Sequence, residues 1–151
     1  MTDPNSIGIA ADHAGYDMKT FLLSRLQHAG YAVTDYGNTL LQPLDDYPDY
    51  VIPLAKAITA KAVSRGVAIC GSGVGACITG NKINNVRACL IHETFSARQG
   101  VEDDNMNLLC LGARVVDKDL AWELTQTFLA ARFSGAERHQ RRLNKIKALE
   151  K

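Results

Sequence analysis

Five short apolar runs, each bounded by turn-forming residues, alternate along this chain with segments whose apolar positions recur every three or four residues. The runs are Ile7–Ala11, Tyr31–Tyr36, Val67–Cys70, Val86–Ile91 and Leu108–Leu111. A run such as Ile7-Gly-Ile-Ala-Ala shows no polar alternation, so it suits a strand buried on both faces of a helix-covered parallel sheet. Helical patterns lie between the runs. Met18, Phe21, Leu22, Leu23 and Leu26 form the first, with Gly30 as its stop. Tyr50–Val63 follows, closed at Gly66, then Ala76–Ile83, Thr94–Val101, and a helix carrying Trp122, Leu124, Thr125, Phe128 and Leu129. This alternation predicts a doubly wound parallel five-stranded sheet in three α/β/α layers, with ligands bound at the carboxyl ends of the strands. Glu137–Lys151 reads as a basic C-terminal helix with Leu143, Ile146 and Leu149 on one face, packed on this domain or on a partner subunit.

A length of 151 residues without an internal repeat predicts one domain over residues 1–151, with one core and one site. Seventeen basic against sixteen acidic side chains leave a formal charge of +1, too little to gather nucleic acid or an anionic membrane. The expected ligand is therefore small. The opening Met1-Thr-Asp-Pro-Asn-Ser lacks a basic stretch and an apolar run, and no later stretch approaches the ~20 apolar residues that cross a bilayer. A cytoplasmic location is the expectation. Cys70, Cys77, Cys89 and Cys110 show no C-x-x-C spacing and the four histidines are scattered, which predicts free thiols and no metal site.

Chemistry concentrates at Cys70-Gly71-Ser72-Gly73-Val74-Gly75, where a buried strand turns into a helix. Backbone N–H groups in such a turn, added to the helix dipole, cradle an anion or a developing oxyanion. Three glycines in five residues exceed what one left-handed turn position requires. Cys70 stands beside that helix start, a place that favours thiolate and suits a base or a nucleophile. The other three cysteines read as small buried apolar residues. Asp12-His13 closes the first strand and falls on the same sheet edge, structural or catalytic on this reading. Arg138 and Arg142 lie one helical turn apart, on an ordinary solvated face or as a phosphate clamp. Glu102-Asp103-Asp104 reads as a solvated acidic loop. Two other classes remain open. Gly71-x-Gly73-x-x-Ala76, with Glu93 past the next strand, fits a loose dinucleotide-binding fingerprint, although that motif normally opens its fold. An anion-binding regulatory module would leave Cys70 unexplained.

Ala11-Asp12-His13-Ala-Gly15, Asp46-Tyr47-Pro48, Ile69-Cys70-Gly-Ser-Gly-Val-Gly75, Asn81-Lys82, Gly112-Ala-Arg114-Val-Val116 and Arg138-His139-Gln-x-Arg142 together resemble the type B ribose-5-phosphate isomerases. The same family resembles galactose-6-phosphate isomerase subunits. The resemblance implies a Rossmann-like fold in a homodimer or dimer of dimers with active sites shared between subunits. It implies cofactor-independent aldose–ketose isomerisation of a sugar phosphate, ribose 5-phosphate to ribulose 5-phosphate by family default, through a cis-enediolate with Cys70 as base. Ser72 and the amides of Gly71, Gly73, Val74 and Gly75 would stabilise the negative oxygen. His13, Arg114, Arg138 and Arg142 match phosphate-holding positions, and Asp12 and Tyr47 match positions near the sugar. Asp103-Asp104 stands where the family usually has His-Asn, whose histidine helps open the furanose ring. Either one of this pair is held protonated and opens the ring, or the substrate is another sugar phosphate, a tetrose or hexose phosphate of the erythrose 4-phosphate, galactose 6-phosphate or allose 6-phosphate type.

Overall fold

The apolar runs become strands because helices cover both of their faces. In the computed structural model, which describes residues 2–151, the strands are β1 (Ser6–Ala11), β2 (Ala32–Asp35), β3 (Arg65–Cys70), β4 (Ala88–Leu90) and β5 (Leu108–Gly112). The helices are α1 (Tyr16–His28), α2 (Pro48–Thr59), α3 (Val74–Asn81), α4 (Thr94–Asp104), α5 (Lys118–Ala130) and α6 (Glu137–Lys147), with a short 3₁₀ turn at His13–Gly15. All four strand pairings are parallel, in the order β2-β1-β3-β5-β4. The steps β1 to β2 and β4 to β5 run one way across the sheet, and β2 to β3 and β3 to β4 run the other. Right-handed crossovers therefore send α1 and α4 to one face and α2 and α3 to the other. Ile7, Ile9, Ile69 and Leu111 pack with Leu22, Val101 and Phe128 on the first face, while Ala10, Ala68 and Cys110 pack with Leu54, Ile58 and Ala76 on the second. The expected doubly wound three-layer sheet is what forms. No helix among the described residues is long and apolar enough to cross a membrane.

Several boundaries move, each for a local reason. Gly30, at φ 93°, does stop α1: its N–H reaches Gln27 O, and Tyr31 N–H reaches Leu26 O, so Tyr31 belongs to the cap and β2 begins later. The second helix ends before Gly66, because Lys61 takes the left-handed conformation at φ 60° and Ala62 N–H closes back on Ala57 O. Asn105, at φ 50°, ends α4, with Met106 N–H on Gly100 O. Glu102-Asp103-Asp104 is thus the last turn of α4, not a loop. The amides of Arg87 and Ala88 donate to the side chains of Asn107 and Asn81, which shortens β4 to three residues. The C-terminal helix stops at Lys147, short of Leu149. Leu143 is buried, whereas Ile146 and Leu149 are exposed.

Candidate active site

Leaving β1 the chain turns to the first face, and leaving β3 it turns to the second, so a crevice opens between the carboxyl ends of these neighbouring strands. Hydrogen bonds fix its floor. Asp12 N–H reaches Ile69 O at 3.4 Å, Ala113 N–H reaches Cys70 O at 2.9 Å and Arg114 N–H reaches Gly71 O at 3.0 Å. The loops after β1, β3 and β5 therefore share one edge.

Cys70 ends β3 and is only 4% exposed. The Gly73 N–H donates to Cys70 Sγ at 3.1 Å. Gly73 caps α3 in the left-handed region, at φ 81°, and a side chain there would meet Leu90 and the Leu111 backbone. Val74 N–H donates to Ser72 Oγ at 3.2 Å. Two of the loop's expected oxyanion donors, Gly73 and Val74, are thus engaged within the loop. The Gly75 and Ala76 amides lie in the first turn of α3, where no helical carbonyl can accept from them. Gly75 has a further role that its motif does not reveal. A Cβ there would fall 2.3 Å from Tyr47 Cζ and 2.7 Å from its hydroxyl, so only glycine lets the Tyr47 ring lie against the loop. The Arg114 guanidinium approaches from the other side, its Nη1 3.1 Å from where a Gly71 Cβ would stand.

Asp12 is buried and caps the 3₁₀ turn, its Oδ1 accepting from the amides of Ala14 and Gly15. His13 follows it, a third exposed, with Nδ1 2.8 Å from Asp45 Oδ1. Sequence reasoning missed Asp45 altogether. It sits in the long loop before α2, and no periodicity or spacing marks it. Burial raises its carboxyl, but hydrogen bonds from His13, Tyr50 and Asn38 outweigh that and hold it below the ordinary carboxylate value. Asp12, His13 and Asp45 bring three metal-binding atoms within 4.8 Å of one another. Those atoms are largely engaged already: Asp12 Oδ1 by two amides, Asp45 Oδ1 by His13 and Asp45 Oδ2 by Asn38.

The remaining expected residues lie elsewhere in the same chain. Asp103 and Asp104 end α4 just ahead of Asn107, whose carbonyl accepts from Gly66 at the amino end of β3. Cys70 is at the opposite end of that strand, ~13 Å away at strand rise. Asp103 Oδ2 accepts from Gln99 Nε2 at 2.7 Å, and its Oδ1 lies 3.4 Å from His139 Nε2. His139 is buried on α6, and Arg138 and Arg142 flank it, exposed. Asp103, Asp104, Arg138 and Arg142 thus gather at the amino edge of the sheet, away from their own Cys70. Glu93, the acid of the dinucleotide fingerprint, caps α4 by accepting from Ser96 N–H at 2.9 Å, and the Ser96 hydroxyl together with that amide holds its carboxyl below the ordinary value.

The four cysteines are unpaired. Burial lifts Cys89 to about 11, and Cys110 is pushed well up by its hydrogen bond to Cys77 and by burial, as suits apolar core thiols. Cys77 is the exception, drawn down to about 6 by the Cys110 hydrogen bond against the effect of burial.

A family model described as Ribose/Galactose Isomerase matches residues 7–146. The chain is 39% identical over 145 residues to the probable ribose-5-phosphate isomerase B of Mycoplasma pneumoniae, covering 96% of this chain and 95% of that protein. It is 40% identical over 130 residues to the D-erythrulose-4-phosphate isomerase of Pectobacterium atrosepticum, covering 86% of each. The crystal structure of ribose-5-phosphate isomerase B from Mycoplasma genitalium with bound ribulose 5-phosphate superposes with a TM-score of 0.90 at 36% identity, over 94% of this chain and 93% of that one.

Proposed function

The chain belongs to the ribose/galactose isomerase family, and on that premise we propose that it interconverts an aldose phosphate and its ketose, with Cys70 as the base. The observation that carries this reading is a thiol at the carboxyl end of β3, where the β1, β3 and β5 loops meet, its sulfur accepting a hydrogen bond from the Gly73 amide. In the open-chain aldose, the Cys70 thiolate takes the proton from C2, and the bonding pair moves into a cis-enediolate. The same proton returns at C1 while the C2 hydroxyl proton passes to the C1 oxygen, leaving the ketose. Atoms and electrons balance within one molecule, so the reaction as proposed calls for no cofactor. The Ser72 hydroxyl and the Gly75 amide are the donors to the negative oxygen, because the Gly73 and Val74 amides already have partners. Asp12 and Tyr47 border the sugar, and His13 and Arg114 meet the phosphate.

Arg138, Arg142, Asp103 and Asp104 complete the site from a second copy of the chain on this reading. Their position at the other edge of the sheet supports it. The functional unit is then a homodimer or a dimer of dimers. Ribose 5-phosphate is the default substrate. One observation favours a tetrose phosphate: the Asp103 oxygens face the Gln99 amide and the His139 ring, which is the setting of an acceptor, not of a proton donor at a ring oxygen. A tetrose 4-phosphate has no free hydroxyl with which to close a furanose, and needs no ring-opening acid.

The test is kcat/KM for ribose 5-phosphate, erythrose 4-phosphate and the 6-phosphates of allose and galactose, in wild type and Asp103→His. Isomerisation of one of these sugars is expected, with the tetrose phosphate ahead in wild type and ribose 5-phosphate improved in the variant. Ordinary efficiency on ribose 5-phosphate with no gain in Asp103→His would return the substrate to the pentose. Tight NAD binding without isomerisation would favour the dinucleotide module instead.

A further inference from the structure

Asp45 lies in a segment without regular secondary structure, yet its side chain is only 7% exposed, and its hydrogen bonds tie the loop before α2 to His13 at the end of β1 and to Asn38 just past β2. Its Oδ1 accepts from the His13 backbone N–H at 2.9 Å and faces the ring Nδ1 at 2.8 Å. Its Oδ2 accepts from Asn38 Nδ2 at 2.8 Å. Asn38 is itself 2% exposed and anchored through both its backbone N–H and its backbone carbonyl. Its N–H donates to Ala11 O at 2.8 Å, and its carbonyl accepts from Lys19 Nζ. Lys19 is buried on α1 and paired with Asp35 Oδ2 at 2.7 Å. A continuous polar chain therefore runs from a buried ion pair between α1 and β2, through Asn38 and Asp45, to the imidazole at the site.

A carboxylate beside a phosphate site is unfavourable unless its charge is matched, and here donors on both oxygens match it. An ionised carboxylate can only accept, so His13 Nδ1 must carry the proton in this contact. Resting on the isomerase reading above, we propose that Asp45 is a positioning residue for that reaction: it fixes the His13 ring with Nδ1–H turned inward, so that Nε2 is the nitrogen that faces the substrate phosphate and, as the imidazolium, donates to it. A histidine without this partner samples two tautomers and more than one ring orientation, and each productive contact then costs ordering entropy.

Three measurements test the assignment. In ¹⁵N-histidine spectra of the wild-type protein near pH 8, His13 should appear as the Nδ1–H tautomer, and an Nε2–H tautomer overturns the proposal. Asp45→Asn keeps the shape and loses the charge. It should raise KM for the best sugar phosphate about tenfold while kcat stays within about threefold, and Asp45→Glu should recover part of the loss. In a His13→Ala background, Asp45→Asn should change KM less than about twofold, because the carboxylate acts through the ring. An unchanged KM in Asp45→Asn, or the same fold loss with and without His13, overturns the proposal. A loss shared equally by kcat and KM, tracking a lowered melting temperature, identifies a purely structural role and overturns it too. Wild-type protein that turns over no sugar phosphate sinks the isomerase reading, while the His13 spectrum still decides for or against Asp45.

Discussion

At the scale of single residues, the proposed chemistry depends on few atoms held with little freedom. Cys70 is buried, so replacing it with alanine removes one sulfur from a packed position at a cost of about 1 kcal/mol. Loss of an acid–base group costs about 10²- to 10⁴-fold in rate, which is about 3 to 5 kcal/mol of transition-state stabilisation. Cys70→Ala should therefore fold with near wild-type urea stability and lose isomerase turnover by at least about 10²-fold; near-normal turnover would remove Cys70 from its role. Asp45 makes a separate prediction about acid stability. Its carboxyl is held below the ordinary value, so its contribution to stability is complete above the unfolded value of 3.8 and fades as pH falls through the lower folded value. Urea unfolding at pH 7, 4.5 and 3.5 should show wild type losing more stability on acidification than Asp45→Asn. Parallel losses would show that the His13 and Asn38 contacts do not stabilise the ionised form.

At the scale of elements, α3 shows how one turn serves packing and chemistry together. Glycine at position 75 costs helix stability, by up to about 1 kcal/mol against alanine in a helix interior, yet it leaves room for the Tyr47 ring. Tyr47 is partly exposed, so an added methyl can push the ring outward without disturbing the core. Gly75→Ala should consequently melt at or slightly above the wild-type temperature and lose about tenfold or more in kcat/KM, the usual consequence of misplacing a substrate-facing group by an ångström or so. A cooperative loss of stability instead would mean that Tyr47 is locked in place. The helix α4 was legible at its start, where Glu93 precedes the apolar pattern, but not at its end. Asn105 in the left-handed conformation is a rarer stop than glycine, and the three acids before it carry no apolar signal.

At the scale of the whole molecule, the sheet separates the two halves of the expected site, with Cys70 at one edge and the α6 arginines beside the end of α4 at the other. If sites form between copies, a Cys70→Ala subunit still offers intact arginines, and an Arg138→Ala/Arg142→Ala subunit still offers an intact thiol. Mixing the two inactive or impaired variants, with subunit exchange, should restore up to about a quarter of the wild-type kcat/KM per site, the statistical share of sites pairing both intact halves when two sites form independently. No recovery after proven exchange would place each site within one chain. The amino-acid pattern by itself determined the parallel sheet, the helices that cover it and the strand end carrying the glycine loop. Buried strands and amphipathic helices write their periods into the sequence, and crossover handedness does the rest. Tertiary structure alone decided that β5 enters between β3 and β4, that Tyr47 leans on Gly75, that Asp45 holds His13 and that Asp103 meets His139. Each of these joins residues far apart along the chain through a single close approach, and such contacts repeat at no period that a local reading can detect.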